Sequence, residues 1–281
     1  MRFACADFTF PLLSHQQSLK LISMLGFDGV DLGLFENRSH LWPSTQFRDV
    51  SHQATELKKQ LDDLELKAAD VFLQVDADFN PVAINRPEPE VRAKARDWFE
   101  QTLEYAATLE CEHVTALPGV EIEGEDRVTS LARTCEELDW RVEKSRAAGI
   151  VFGTEAHVGS IAQTPQAALE LVQAVPGLTL TLDYTHFTRA GLPDSEVEPL
   201  IEVASHFHVR GARQGRLQCN FNQSTIDHGR VMEVMKATGY RGWTGIEYVW
   251  VDWEQCNESD NLSETIQYRD FLRERADALQ L

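Results

Sequence analysis

The sequence has few cysteines, and no two of them lie close together. Their number is odd, and they are spread over a chain of 281 residues, which argues against a disulfide framework. They are Cys5, Cys111, Cys135, Cys219 and Cys256. The first residues lead directly into a strand-like run, without the charged and then apolar stretch of a secretion signal. We therefore expect reduced thiols and a cytoplasmic protein.

Basic residues are also scarce. The chain has 26 lysines and arginines against 45 acidic residues, which gives a formal net charge of −19. Such a charge repels phosphate backbones and anionic lipid surfaces, so we expect no nucleic-acid partner and favour a neutral small-molecule substrate, with a phosphorylated sugar as the alternative. No apolar run reaches the roughly 18 residues of a transmembrane helix, so no membrane association is expected.

Several catalytic and nucleotide-binding motifs are missing. No glycine-rich phosphate loop follows the first strand-like run, where residues 6–11 read Ala-Asp-Phe-Thr-Phe-Pro. The chain also lacks a Walker loop, a Gly-x-Ser-x-Gly elbow and a Cys-x-x-Cys pair. These absences count against a doubly wound nucleotide-binding sheet, a serine hydrolase and a structural zinc site.

What the sequence does contain is a regular alternation of strand and helix patterns. Short β-branched or aromatic runs alternate with longer stretches whose apolar residues recur at helical spacing. The predicted strands cover residues 3–9, 30–34, 69–75, 113–117, 151–155, 178–184, 206–210 and 243–248. Eight such units predict a single (β/α)8 TIM barrel over residues 1–281, since such barrels commonly have roughly 250 residues.

One helix illustrates the pattern. Val91, Ala95, Phe99, Leu103 and Ala106 fall on one face at helical spacing, which predicts a helix that packs on the outside of the barrel. The loops 37–50 and 76–89 are long and contain aromatic and proline residues. We expect them to form a lid or one wall of the pocket.

The last four predicted strands each end near a possible metal ligand. In a TIM barrel the carboxyl ends of the strands form the active-site face, so polar residues there carry functional weight. The residues are Glu155, Asp183, His208 and Glu247. Three carboxylates and one imidazole suit one divalent ion, with Mn²⁺ favoured and Mg²⁺ or Co²⁺ as alternatives.

This pattern resembles the xylose isomerase-like barrel superfamily, which includes sugar isomerases, epimerases, inosose dehydratases and endonuclease IV relatives. The resemblance extends over nearly the whole chain and is most specific for the ketose 3-epimerases. It implies that Glu155, Asp183, His208 and Glu247 bind the metal and that His186, three residues after Asp183, contacts a substrate oxygen. It also implies a homo-oligomer, either a dimer or a tetramer.

Two positions depart from the epimerase pattern. Arg213 is the candidate for a substrate-holding arginine, but it lies one residue closer to His208 than in the family, so Arg210 and Arg216 compete for the role. The family has a second glutamate six residues after the strand-five ligand, where this chain has Ile161. His157 is then a candidate to supply the missing substrate contact.

The predicted chemistry is enolisation. A divalent ion that bridges a carbonyl and an adjacent hydroxyl oxygen acidifies the neighbouring C–H and stabilises the enediolate. Glu155 and Glu247 are the candidate catalytic pair, one removing the proton and the other returning it. This predicts a metal-dependent isomerase or epimerase of a small ketose or keto-sugar. The alternatives are a lyase or dehydratase that performs β-elimination on a keto-sugar, keto-glycoside or inosose, and a barrel without catalysis.

Other polar and aromatic residues near the strand ends have two interpretations each. His206 points to the same side of its strand as His208, so it is either a ligand or a deeper barrel-lining residue. Asp7 and Glu36 either bind sugar hydroxyls or cap the following helices. Trp250 and Trp253 either stack on a sugar or cover the barrel end.

Overall fold

The computed structural model describes residues 1–281 and contains a closed parallel barrel. In chain order the strands are β1 (Arg2–Ala6), β2 (Gly29–Phe35), β3 (Lys67–Gln74), β4 (His113–Ala116), β5 (Val151–Glu155), β6 (Thr179–Asp183), β7 (Ala204–Val209), β8 (Gly211–Arg213), β9 (Arg216–Cys219) and β10 (Trp243–Ile246). The barrel order is β1-β10-β7-β6-β5-β4-β3-β2. The predicted (β/α)8 TIM barrel is therefore confirmed, and each of the eight predicted strands overlaps one barrel strand.

The helices surround the barrel. They are α1 (His15–Met24), α2 (Pro43–Gln46), α3 (Val50–Asp63), α4 (Pro89–Thr108), α5 (Arg127–Ala147), α6 (Pro165–Ala174), α7 (Tyr184–Arg189), α8 (Asp194–Val197), α9 (His228–Thr238) and α10 (Asn261–Leu279). In α4 the predicted inner face is buried at Ala95, Phe99, Leu103 and Ala106. Proline at its first position fixes a helical φ without losing a needed N–H donor. None of these helices combines the length and apolar character needed to cross a bilayer.

The first strand is shorter than its pattern predicted. It ends at Ala6, because residues 7–9 turn into a short 3₁₀ helix. Asp7 stabilises this turn: its Oδ1 accepts a hydrogen bond from the Gly33 N–H at 3.0 Å, and its Oδ2 lies 2.9 Å from Nε2 of His15. This buried carboxylate therefore joins β1, β2 and α1 at the start of the fold.

Two additions follow the last barrel strands. An antiparallel hairpin of β8 and β9 extends from β7, and a 3₁₀ segment over Trp253–Glu258 follows β10. The Tyr248 hydroxyl joins them to the barrel, because it accepts a hydrogen bond from the Gly211 N–H and donates one to the carbonyl oxygen of Cys219. Both additions begin at carboxyl ends of barrel strands, which is the active-site face of this architecture.

Several polar side chains lie in the interior of the barrel. Nδ1 of His113 lies 2.7 Å from Oδ1 of Asp70, and its Nε2 lies 2.7 Å from Oγ of Ser205. Nε2 of His206 lies 3.2 Å from Oδ2 of Asp31. Such buried polar groups remain stable in a core only when they find partners, so these pairs fix the packing of β2, β3, β4 and β7.

Candidate functional site

The carboxyl ends of β5, β6, β7 and β10 bring four predicted site residues to one face of the barrel. Glu155 and Asp183 are the last residues of β5 and β6, His208 lies near the end of β7, and Glu247 directly follows β10. All four are buried. The local reason is strand pairing, since the Glu247 N–H donates to the carbonyl oxygen of Val209 at 3.0 Å and holds the two strand ends side by side.

Three of these four residues converge directly. Nδ1 of His208 lies 3.1 Å from Oε1 of Glu155 and 3.5 Å from Oε2 of Glu247. One ligand atom from each of the three residues falls within a radius typical of a single ion, with mutual distances of at most 4.8 Å. Asp183 differs from these three residues because both of its carboxylate oxygens accept hydrogen bonds within the protein. Its Oδ1 accepts one from the Thr185 N–H and its Oδ2 accepts one from Nη2 of Arg210, each at 2.8 Å.

Arg210 connects Asp183 to Glu247. Its Nη2 lies 2.8 Å from Oδ2 of Asp183 and 3.6 Å from Oε2 of Glu247, and the side chain is only 4% exposed. Arg213 points elsewhere: it is exposed at the end of β8 and contacts none of the four residues. Arg216 pairs with Glu258. Of the three arginines weighed from the sequence, the structure brings Arg210 to the site, because the chain leaves the barrel in a hairpin immediately after it.

Burial and mutual charge give these groups different proton affinities. Burial raises the pKa of Glu247 to about 7, and the neighbouring Glu155 and Asp183 also favour its protonated form. Burial would likewise raise the pKa of Glu155, but the hydrogen bond with His208 and the proximity of His186 hold it below its ordinary value. The two glutamates therefore differ in proton affinity.

The residues present fit a divalent cation. Burial lowers the pKa of a histidine, yet Glu247, Glu155 and Asp31 raise the pKa of His208 to about 10, so the cluster attracts positive charge strongly. Oε2 of Glu247 is buried without a hydrogen-bond partner. A buried carboxylate oxygen in that state is costly unless a cation binds it. Oxygen donors with one imidazole are the set expected for Mn²⁺, Mg²⁺ or Co²⁺.

His186 and His157 lie beside Glu155. The Val158 N–H donates to Nδ1 of His186 at 3.3 Å, so the neutral ring has its proton on Nε2. That Nε2 lies 3.5 Å from Asp183 and 3.9 Å from Glu155. The ring of His157 lies 4.5 Å from that of His186, and its Nδ1 donates to the carbonyl oxygen of Val158 at 2.5 Å. Burial lowers the pKa of both histidines, so both are neutral donors or acceptors at neutral pH.

The structure shows the contacts of three residues for which the sequence left two roles open, namely His206, Asp7 and Glu36. His206 lies deeper in the barrel and pairs with Asp31. Asp7 and Glu36 are structural, since Asp7 holds the turn after β1 and Glu36 accepts from the N–H and hydroxyl of Ser44. Ile161 is buried in the core, where its N–H donates to the carbonyl oxygen of Gly119.

The mouth of the barrel is aromatic on one side. Trp253 is 47% exposed and its ring is parallel to that of His157, with centroids 6.2 Å apart. Phe79, from the long loop after β3, packs edge to face against His157, with ring centroids 5.2 Å apart. Trp250 is also exposed, next to the same segment. These rings offer flat apolar faces close to His157 and therefore close to the charged cluster.

Two residues near the site have no counterpart among the sequence predictions. Asp31 lies beneath His208, with Oδ2 4.0 Å from Nε2 of that ring. Arg38 extends from the loop after β2, and its Nη1 donates to Oε1 of Gln74 at 3.0 Å. The available signal was weak: Asp31 is a lone acidic residue within an otherwise apolar strand pattern, and Arg38 follows the end of a strand.

Comparisons with known proteins agree with this architecture. Solved structures of the same fold include a D-tagatose 3-epimerase-like protein, 22% identical, covering 99% of this chain and 100% of that one with a TM-score of 0.76. An AP endonuclease of family 2 from Brucella melitensis is 23% identical, covering 88% of this chain and 92% of its own, with a TM-score of 0.70. A probable 3-DHS dehydratase from Bacillus anthracis is 14% identical, covering 95% and 98%, with a TM-score of 0.69.

At these identities the likeness shows the shared fold. Comparison with curated protein sequences gave no match. The family model described as xylose isomerase-like TIM barrel matches residues 19–275, which is most of the chain. The chain therefore belongs to the xylose isomerase-like TIM barrel family.

Proposed function

We propose that this protein is a metal-dependent isomerase or epimerase that enolises a small ketose or keto-sugar at the carboxyl ends of its barrel strands. The observation that carries the proposal is the buried convergence of Glu155, His208 and Glu247 within 4.8 Å, with one oxygen of Glu247 left without a hydrogen-bond partner. The epimerase-like protein of the same fold supports the sugar class.

Glu155, His208 and Glu247 would hold one divalent ion, with Mn²⁺ favoured, and Asp183 is the fourth candidate ligand. When bound, such an ion supplies Lewis-acid polarisation of a carbonyl and an adjacent hydroxyl oxygen. Glu155 and Glu247 approach the site from different strands, so one would take a proton from the substrate carbon and the other would return it.

The surrounding residues orient the substrate. The Nε2–H of His186 is directed toward the carboxylates, so it would donate to a substrate oxygen lying between them. His157 and Trp253 would cover the carbon skeleton, since a sugar presents a C–H face to an aromatic ring. Arg210 takes the role first considered for Arg213, because its guanidinium lies among the carboxylates and Arg213 lies outside.

A lyase or dehydratase is the second candidate. The same enolisation expels a leaving group when the next carbon bears one, and a probable 3-DHS dehydratase has the same fold. The net charge of −19 counts against a nucleic-acid substrate like that of the endonuclease of the same fold.

The test is deuterium exchange followed by NMR. Purified protein with Mn²⁺ in D₂O is incubated with candidate ketoses, inososes and 3-keto-glycosides. We expect deuterium at a carbon next to a carbonyl with the wild type and none with Glu247→Gln. Glu274→Gln, which removes an exposed carboxylate on α10, is the matched control and should exchange normally. Retention of the leaving group indicates an epimerase, and its loss indicates a lyase.

Absence of exchange with every substrate, in protein that binds Mn²⁺, would contradict the proposal. The chain would then be a binding barrel or an enzyme of another reaction class.

A further inference from the structure

A second compartment lies outside the charged cluster. It is a cavity of about 500 Å³, here called the outer chamber, whose lining includes Arg38, Phe79, His157, Arg189, Trp253 and Glu254. The chamber adjoins the cluster through His157, whose ring lies 4.5 Å from that of His186. A ligand whose reactive end reaches Glu155 would therefore extend its other end into this chamber.

The two arginines of the outer chamber differ in their partners. Arg189 is balanced by Glu254, with its Nε 2.8 Å from Oε2 in a two-point contact. Arg38 has no carboxylate within 4.0 Å. Its contacts are the neutral amide oxygen of Gln74 at 3.0 Å and the ring of Phe35, whose centroid lies 5.9 Å from Cζ. The outer chamber therefore contains one arginine that forms no ion pair within 4.0 Å.

The loop around Arg38 is fixed. Ser39 accepts a hydrogen bond at Oγ from the Phe35 N–H at 3.1 Å and lies 3.0 Å from the carbonyl oxygen of Leu41. Asn37 adopts a left-handed conformation with a φ of 60°, which turns the chain sharply just before Arg38. Arg38 is therefore held toward the barrel and half-buried, whereas an arginine on a surface loop usually extends into solvent.

A half-buried guanidinium without a counter-charge is unfavourable. Burial lowers the pKa of Arg38, and the carboxylates of Glu247 and Glu155 partly offset this effect. An acidic group of a ligand in the outer chamber would supply the close counter-charge that the protein does not place within 4.0 Å of Arg38.

We propose that the substrate carries an acidic group, a carboxylate or a phosphate monoester, which Arg38 binds in the outer chamber. This inference rests on the proposed function and names the substrate class of the same site. It replaces the neutral substrate expected from the net charge, because the charge within a pocket decides the recognition of a small ligand. The planar guanidinium offers paired N–H donors that match a carboxylate or phosphate, and Trp253 and Phe79 enclose the carbon skeleton.

Binding of matched probes tests the inference without requiring turnover. Glucuronate, glucose 6-phosphate and neutral glucose are titrated into Mn²⁺-loaded wild type by calorimetry. We expect at least one acidic probe to bind tenfold or more tightly than glucose, and the preferred probe distinguishes carboxylate from phosphate. In Arg38→Met this preference should disappear, whereas Arg38→Lys should retain part of it. Arg48→Met removes an exposed arginine from the same loop region and is the matched charge control.

Equal affinities of the wild type for all three probes, or an acid preference that survives in Arg38→Met, would overturn the inference. Deuterium exchange of neutral ketoses that depends on Glu247 would in that case still support the proposed function. Conversely, acid binding that depends on Arg38, combined with no exchange of any substrate, would retain the anion site and reject the proposed function. Arg38→Lys keeps the test valid if Arg38→Met fails to fold.

Discussion

The carboxylate of Asp31 lies against the backbone of Gly245 inside the barrel, so close that a Cβ at position 245 would fall 1.8 Å from Oδ2 of Asp31. The same Oδ2 lies 3.2 Å from Nε2 of His206 and 4.0 Å from Nε2 of His208. A residue without a side chain in β10 therefore makes room for an acidic group beneath the candidate ligand His208.

We expect Gly245→Ala to destabilise the protein by about 3 kcal/mol, since a methyl group forced into a packed core displaces its neighbours. Asp31→Ala removes the carboxylate that the methyl would meet. The double variant should therefore lose less stability than the sum of the two single variants, by about 1–3 kcal/mol. Urea unfolding of the four proteins measures this coupling. Strict additivity would show that Asp31 does not occupy the space over Gly245.

The buried ion pair between Arg210 and Asp183 gives a second prediction. Arg210→Met leaves Asp183 buried without its charged partner, which costs about 3–5 kcal/mol for pairs of this kind. Arg213→Met, which removes the same charge from an exposed position, should change the unfolding free energy by less than about 0.5 kcal/mol. Both changes in unfolding free energy are measured by urea unfolding, and their comparison shows which of the two arginines belongs to the buried ion pair.

A larger loss of stability in Arg213→Met than in Arg210→Met would contradict the structure, because it would require the β8–β9 hairpin to direct Arg213 into the barrel. The affinity for Mn²⁺ is a second measurement, and it reports on the candidate metal site directly. Mn²⁺ affinity should change in Arg210→Met, because Arg210 contacts Asp183 and Glu247, and should remain unchanged in Arg213→Met.

The fold could be predicted from the sequence because its signal is periodic and repeated. Eight strand patterns alternate with helix patterns, and an error of a few residues at one strand, as at residues 7–9, leaves the topology unchanged. The residues at the strand ends follow from the same periodicity. Glu155 and Asp183 end their strands, and Glu247 follows one, so their gathering depends only on parallel strand order.

The remaining features of the site depend on contacts between distant segments. Choosing between Arg210 and Arg213 requires knowing that a β8–β9 hairpin starts immediately after Arg210. Asp31 interrupts an apolar strand, and nothing in the sequence relates it to Gly245, which is more than two hundred residues away. Arg38 reaches the outer chamber because of a left-handed residue at Asn37, and sequence periodicity carries no information about such a loop.

Metal binding should stabilise the folded protein measurably. A ligand present at about 100 times its Kd adds about 2.7 kcal/mol to the unfolding free energy. We expect Mn²⁺ to raise the thermal midpoint of the wild type and EDTA to reverse the rise. The gain should largely disappear in Glu247→Gln and in His208→Gln, because both replace atoms of the converging set.

Glu274→Gln is the control, because it removes an exposed carboxylate on α10. Mn²⁺ should raise its thermal midpoint as much as it raises that of the wild type. Equal gains in all variants would mean that Mn²⁺ binds to surface carboxylates, which are plentiful in a chain with 45 acidic residues.

A buried histidine outside the site should make the fold sensitive to mild acid. His228, the first residue of α9, is buried with its ring 5.0 Å from that of Tyr268. Burial lowers its pKa from 6.5 to about 4. Below its ordinary pKa the unfolded chain binds a proton that the folded protein does not, so this contribution to stability is complete above pH 6.5 and declines toward pH 4. When the pH falls from about 7.5 to about 5, the free energy of unfolding of His228→Gln should therefore decrease by roughly 2 kcal/mol less than that of the wild type, as measured by urea unfolding.

The control is His52→Gln, which changes an exposed histidine on α3 and should show the same pH dependence as the wild type. An identical acid loss in His228→Gln and the wild type would mean that His228 titrates in the folded protein as it does in the unfolded chain.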